Sequence, residues 1–179
     1  MFGLDPDIFL PMEENETPEN QSDSQSPAAA VTQKALALLA RCEQSRAGLT
    51  RKLLAKGYGK DTVAGVLDAL EEKGILSDAR FARAWLNSRR IGKTEGRTRL
   101  LAELAARGIA KDVAKKAVDD FFEEFDEEEI CLAAAKKYIA RGYSGEKLMA
   151  AMTRAGFGYK MSQKAIKNAG ENIDNIRDY

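Results

Sequence analysis

One step recurs three times in this chain: a short apolar helix face, a glycine, and an apolar residue directly behind it. LLAKGYGKDTVAGVL, AELAARGIAKDVAKKAV and AAMTRAGFGYKMSQKAI align without gaps. Leu53, Leu104 and Met152 fall together, as do Gly57, Gly108 and Gly156. Tyr58, Ile109 and Phe157 follow, then Leu67, Val118 and Ile166. Four residues before the first set stand Leu49, Leu100 and Leu148. From Gly57 to Gly108, and again from Gly108 to Gly156, the chain is long enough for three short helices. Self-similarity at a fixed period of this size marks a stacked array of small units. Each glycine is expected to end the second helix of its unit at positive φ, with the apolar residue behind it closing the turn. Such units are expected to bury a continuous core by stacking and to present an extended, curved binding surface.

Between the glycines the apolar spacing is three and four, which predicts amphipathic helices rather than strands. Leu36, Leu39 and Ala40 begin one stripe. Leu49, Leu53 and Leu54 make another after Ser45, a residue suited to capping a helix. Val63, Val66, Leu67 and Leu70 make a third, which stops near Gly74. No proline follows Pro27, so the glycines punctuate the segments. The expected fold is all-α: three tandem three-helix repeats forming an elongated curved module, at residues 31–75, 76–125 and 126–170. Residues 1–30 are rich in Glu, Gln, Ser, Asn and Pro and read as a disordered acidic tail. Phe2, Leu4, Ile8, Phe9 and Leu10 are its apolar exceptions. Residues 171–179 read as a C-terminal tail.

With 44% hydrophobic and 31% charged residues, the composition is that of a soluble protein. No apolar run approaches the roughly 18 residues of a membrane span. The start MFGLDPDIFLP lacks the positive end and long apolar centre of a secretion signal. Two cysteines in 179 residues make no disulfide framework, and a reducing cytoplasm is the expected location. A monomer is expected, since the repeats can satisfy their own core. The formal net charge of zero hides an asymmetry. Residues 1–30 carry seven acidic and no basic side chains, so residues 31–179 carry 28 basic against 21 acidic, a net +7. That excess favours an acidic partner.

The stretch RRIGKTEGRTR, residues 89–99, contains the GKT that ends a phosphate-binding loop. The loop also needs a glycine five residues before Gly92, and that position is Asn87. A nucleotide site is not expected there. The chain has no histidine, the commonest base and metal ligand near neutral pH. Cys42 and Cys131 have no base partner in the pattern and read as packing residues. DDFFEEFDEEE, residues 119–129, gathers eight carboxylates, and carboxylates can bind magnesium or do acid–base work. They interleave with Phe121, Phe122 and Phe125 at core-like spacing, and Asp126 to Glu129 suit the N-terminus of a following helix. No catalytic residue, metal or cofactor is expected.

The basic residues are concentrated differently. From Arg80 to Lys116 there are eleven Lys or Arg residues against three acids, Glu95, Glu103 and Asp112. Arg83 and Arg90 fall on one helix face opposite Phe81 and Trp85, with Arg89 beside them. Lys93, Arg97 and Arg99 continue through the Gly92–Gly96 hinge, and Lys115 and Lys116 follow in the next helix. Arg83, Arg89, Arg90, Lys93, Arg97, Arg99, Lys115 and Lys116 are therefore the expected contacts to phosphates or to a partner's carboxylates. No zinc finger or aromatic RNA-binding signature accompanies them.

These residues resemble a known family, the bacterial regulator RecX. Arg41, Ser45, Leu49, Lys52, Leu53, Lys56, Gly57, Leu70, Gly74, Ile75, Leu76 and Asp78 follow its pattern in the first unit. Phe81, Ala82, Arg89, Gly92, Arg99, Leu100, Glu103, Leu104, Gly108 and Ile109 continue it in the second. The similarity covers about residues 33 to 120 strongly and the third unit faintly, and EEKGILSDARFA is its most specific part. Gly48 stands where the family usually has an acidic residue, and the acidic tail lies outside the common family core. The resemblance implies a modular helical repeat that binds the RecA recombinase filament along its helical groove. It also implies inhibition of recombination, ATP hydrolysis and co-protease activity, by blocking growth or promoting disassembly, with no catalytic centre or cofactor. The expected partners are the RecA filament and the single- or double-stranded DNA it encloses. A standalone DNA-binding protein using the basic surface is the alternative reading, and a hydrolase built on the 119–129 carboxylates is a third.

Overall fold

A computed structural model describes residues 26–89 and 94–177, with side chains through Gly170. Most of the acidic tail, and Arg90 and Lys93 of the expected contact set, lie outside the described residues. Those described form nine α-helices and no strand: α1 (Pro27–Leu39), α2 (Arg46–Leu54), α3 (Lys60–Glu72), α4 (Asp78–Arg89), α5 (Arg97–Ala106), α6 (Lys111–Glu124), α7 (Glu127–Ala140), α8 (Gly145–Arg154) and α9 (Tyr159–Arg177). They pack in threes, α1–α3, α4–α6 and α7–α9. α1 begins at Pro27, inside the stretch read as tail. Ser26 Oγ accepts from Ala29 N at 3.2 Å, and proline at the first helical position forfeits no intrahelical bond. At the other end α9 runs on to Arg177, past the residue where a tail was expected.

Each triad has its own core. Leu49, Leu53, Val63 and Leu67 are buried in the first, Leu86, Leu100, Leu104 and Val118 in the second, and Cys131, Leu148, Met152 and Phe157 in the third. Burying one such leucine contributes about 1.5–3 kcal/mol. The single continuous core expected from stacking is not what forms. The three clusters are separate, with Ile130 packing against both the second and the third. Three helices already close each triad's apolar faces, which leaves polar and backbone groups to make the joints between them. In α1 the buried stripe is Val31 and Ala35, with Leu38 and Leu39 half-buried. Leu36, expected in the stripe, is exposed, because it lies one residue, about 100° of helix, past Ala35.

The turns after α2, α5 and α8 have the expected form. Gly57, Gly108 and Gly156 have φ of 86°, 80° and 94°. Tyr58 N donates to Leu53 O at 3.4 Å, Ile109 N to Leu104 O at 3.2 Å and Phe157 N to Met152 O at 3.2 Å. The glycine N–H in each case reaches the carbonyl three residues back. This paired bonding satisfies the last carbonyls of the helix, and it aims Ile109 and Phe157 into their cores.

Neighbouring triads meet at a joint built twice from equivalent residues. In the first, the N-terminus of α2 sits on the turn after α5. Ser45 Oγ donates to Arg107 O at 3.0 Å while accepting from Gly48 N, also at 3.0 Å. A Cβ on Gly108 would overlap the Cβ of Ala47. In the second, the N-terminus of α5 sits on the turn after α8. Gly96 N donates to Ala155 O at 2.8 Å and Thr98 N to Gly156 O at 3.2 Å. A Cβ on Gly156 would overlap Arg99.

Each joint is clamped by an arginine. Arg46 N donates to Asp78 Oδ1 at 2.8 Å, and its guanidinium pairs with Asp68 at 2.6 Å and with Glu71. Arg97 N donates to Glu127 Oε1 at 3.1 Å, and its guanidinium pairs with Asp119 and, at 3.4 Å, with Glu127. Asp78 and Glu127 each open the first helix of the next triad, where negative charge also suits the helix dipole. Arg80 braces the first joint through Glu43 at 2.8 Å and the carbonyls of Gly74 and Ile75, both at 2.7 Å.

The two kinds of glycine turn should respond differently to a methyl group. A Cβ at Gly57 would stand in open space, whereas one at Gly108 would not. Gly57→Ala should therefore cost about 1–2 kcal/mol, from the left-handed backbone alone. Gly108→Ala should cost about 1–3 kcal/mol more, from overpacking; equal urea-unfolding free energies for the two would contradict the joint. The cysteines also differ. Cys131 is buried and its thiol is pushed up to about 11 by burial and by the nearby Glu127 and Glu128. Cys42, read from the sequence as packing, is exposed, since it lies in the connection beyond α1 rather than on a helix stripe. At pH 8 a thiol reagent should modify Cys42 and spare Cys131 until the protein unfolds. The Cys131 thiol titrates later in the native state than in the unfolded chain, so its contribution lowers stability as pH rises from about 9 towards 11.

Candidate functional site

The six described residues of the expected contact set divide into two groups. Arg97, Arg89 and Arg99 are engaged inside the fold. Arg97 clamps the second joint and its guanidinium lies 4.9 Å from the Phe122 ring centre. Arg89 lies over the Trp85 ring at 4.5 Å and 3.7 Å from Glu95, with its side chain only 18% exposed. The same indole holds Arg107 at 4.6 Å; both contacts draw on the negative face of the ring. Arg99 pairs with Glu95 at 3.2 Å and Glu103 at 3.8 Å, and donates to Arg154 O at 3.3 Å across to the third triad.

Arg83, Lys115 and Lys116 are outward. Arg83 is exposed on α4 and has no hydrogen bond or ion pair among the described residues. Lys115 reaches Asp119 at 2.9 Å and Lys116 reaches Asp120 at 3.2 Å, with the lysine side chains 70% and 79% exposed. Pairs one helical turn apart at that exposure contribute little, so both ammonium groups stay available. The Lys115 ammonium, followed by the Arg97 guanidinium, holds the Asp119 carboxyl below its ordinary range. Arg83 and Lys116 line one groove between α4 and α6.

The carboxylates of residues 119–129 serve the same architecture. Asp126 caps α7 by accepting from Glu128 N at 2.8 Å. Glu127 and Asp119 hold Arg97, and Glu128 pairs with Lys164 at 2.5 Å. Phe121 packs edge-on to Phe122 at 5.2 Å and tilted on Phe125 at 5.0 Å. Among the described residues, no three His, Cys, Asp or Glu side chains group so as to hold a metal ion. No described helix is long and apolar enough to cross a membrane. Sequence reasoning missed the clamp formed by Arg46 and Arg97. Its signal was available: in the register that lays Gly57 on Gly108, Arg46 falls on Arg97 and Asp68 on Asp119.

Comparison with known proteins bears on this geometry. Residues 32–75 match the first three-helix domain of RecX and residues 77–118 the second. A regulatory protein RecX from Treponema pallidum is 39% identical over 132 residues, spanning 74% of this chain and 80% of that protein. One from Chromohalobacter salexigens is 34% identical over 141 residues, spanning 77% and 91%. Among solved structures, RecX from Lactobacillus salivarius superposes with a TM-score of 0.69 at 17% identity, over 80% of this chain and 97% of that one. At that identity the superposition speaks for the helical-repeat fold alone. The sequence matches establish kinship: the chain belongs to the RecX family of regulatory proteins.

Proposed function

We propose that this chain is a non-enzymatic cytoplasmic regulator that binds the RecA nucleoprotein filament and inhibits its ATPase, recombination and co-protease activities. The observation that carries the reading is the tandem of two RecX-type three-helix domains in a repeat whose outward basic side chains gather on α4 and α6. Such a regulator needs no reacting group. It acts by differential binding, holding the filament in a state that cannot grow or turn over. A rigid array suits that task, because its contacts are fixed in advance and little ordering entropy is lost on docking. Arg83, Lys115 and Lys116, with Arg90 and Lys93, supply charge complementary to an acidic surface and raise the rate of encounter. The same outward cations favour the second reading, a standalone DNA-binding protein.

Titration into single-stranded-DNA-dependent ATP hydrolysis by the cognate RecA separates the two. A filament regulator stops hydrolysis at substoichiometric amounts in either order of addition. A DNA competitor acts only when added first with limiting DNA, and its affinity for naked DNA falls steeply with salt. Arg83→Gln, Lys115→Gln and Lys116→Gln together should raise the half-inhibiting concentration about tenfold, equivalent to about 1.4 kcal/mol, with unchanged helical circular dichroism. Undiminished inhibition would remove these three from the contact set. Arg97→Gln does not test contact in the same way, because it also opens the second joint.

A further inference from the structure

Each triad has a surface groove between its first and third helices, and the grooves of the first two triads are equivalent under the repeat. In the second triad the groove holds Ala79 and Arg83 of α4 and Val113, Lys116, Ala117 and Asp120 of α6, with a volume of about 500 Å³. In the first, a groove of about 400 Å³ holds Ala28 and Thr32 of α1 and Thr62, Gly65, Val66 and Ala69 of α3. Each of these six falls on its counterpart in the register that lays Gly57 on Gly108. In the third, a smaller groove of about 180 Å³ holds Glu128 and Leu132 of α7 and Met161, Lys164, Ala165 and Asn168 of α9. The α9 residues keep the register that lays Gly108 on Gly156, and the α7 residues are one position out of it. Both joints are made from equivalent residues, and the grooves recur once per triad along the module.

Their chemistry discriminates between partners. The floors are apolar, with the buried Val66, Ala117 and Ala165 at equivalent positions. The charges along the rims do not favour phosphate. Asp61 balances Lys73 in the first groove, and Asp112 and Asp120 balance Arg83 and Lys116 in the second. In the third, Asp126, Glu128 and Glu129 outweigh Lys164. A nucleic-acid backbone would meet neutral to negative rims, whereas a protein surface offering an apolar side chain suits the apolar floors.

We infer that the row of α1–α3, α4–α6 and α7–α9 grooves is the docking surface for a homopolymeric protein, each groove taking the same apolar element from a successive subunit. The inference rests on the proposed function, in which that polymer is the recombinase filament. It assigns Lys115 to encounter and the grooves to register, with Arg83 and Lys116, on the rim of the second groove, serving both. Several contacts on one module add as multivalent binding, so loss of one groove weakens the whole strongly.

Filling the grooves from exposed lining positions tests this without touching the cores. Gly65 has open space around a Cβ, and Ala79 is exposed. Gly65→Leu and Ala79→Leu should each raise the half-inhibiting concentration in the RecA ATPase titration about tenfold. The double variant should raise it further. Ala102→Leu, on an exposed position of α5 outside the grooves, should leave it unchanged. All variants should keep the wild-type helical circular dichroism and bind naked single-stranded DNA as the wild type does. Wild-type inhibition by the double variant would overturn the groove assignment alone. A loss of inhibition matched by an equal loss of naked-DNA affinity would overturn the protein occupant. An inert wild-type chain would overturn the functional reading and the occupant together.

Discussion

The contact on which the module depends is a helix N-terminus seated on a glycine turn. A helix N-terminus carries unsatisfied N–H groups, and a helix C-terminus carries unsatisfied carbonyls. Here the needs of two helices in different triads are met against each other. Gly96 N and Thr98 N find the carbonyls of Ala155 and Gly156, and the Ser45 hydroxyl finds the carbonyl of Arg107. The approach is close enough that no side chain fits on the turn, so Gly108 and Gly156 are fixed for two independent reasons. Positive φ alone would require glycine at Gly57, and there the surrounding space is open.

A joint of this kind explains why three separate cores still make one module. Apolar contact between triads is slight, and Ile130 is the residue shared by two clusters. Directional bonds and the Arg46 and Arg97 clamps set the angle instead. Each clamp ties three parts of the chain: the N-terminus of a second helix, the third helix of its own triad, and the first helix of the next. Polar joints hold neighbouring units by direction more than by the apolar area between them.

The clamps also redistribute the basic residues. Arg89, Arg97 and Arg99 sit near the hinge that draws attention in the sequence, yet their guanidinium groups face Trp85, Phe122 and acidic neighbours. The charge left outward belongs to Arg83, Lys115 and Lys116 on α4 and α6. A guanidinium stacked on an aromatic ring and one awaiting a partner have the same signature in a linear chain, since the stacking ring lies on another turn or another helix.

What the amino-acid order determined was everything governed by near neighbours. Helical period, the Ser45 cap and the glycine turns depend on residues within one or two turns, and the threefold recurrence repeats them. They are readable at Leu53, Gly57 and Tyr58, and again at Leu104, Gly108 and Ile109. The burial of Leu49, Leu100 and Leu148 follows from the same spacing. Which face of α1 turned inward was less secure, because α1 offers several alanines and leucines around its circumference and packing chose Val31 and Ala35 over Leu36. Tertiary structure decided the separation of the cores and the lining of the surface grooves, and it brought Arg97 onto Asp119 and Glu127, a pairing traced in the sequence only by the repeat register. The Arg97 pairs join residues 22 and 30 positions apart, and such contacts are set by how helices pack against one another, which no local sequence pattern encodes.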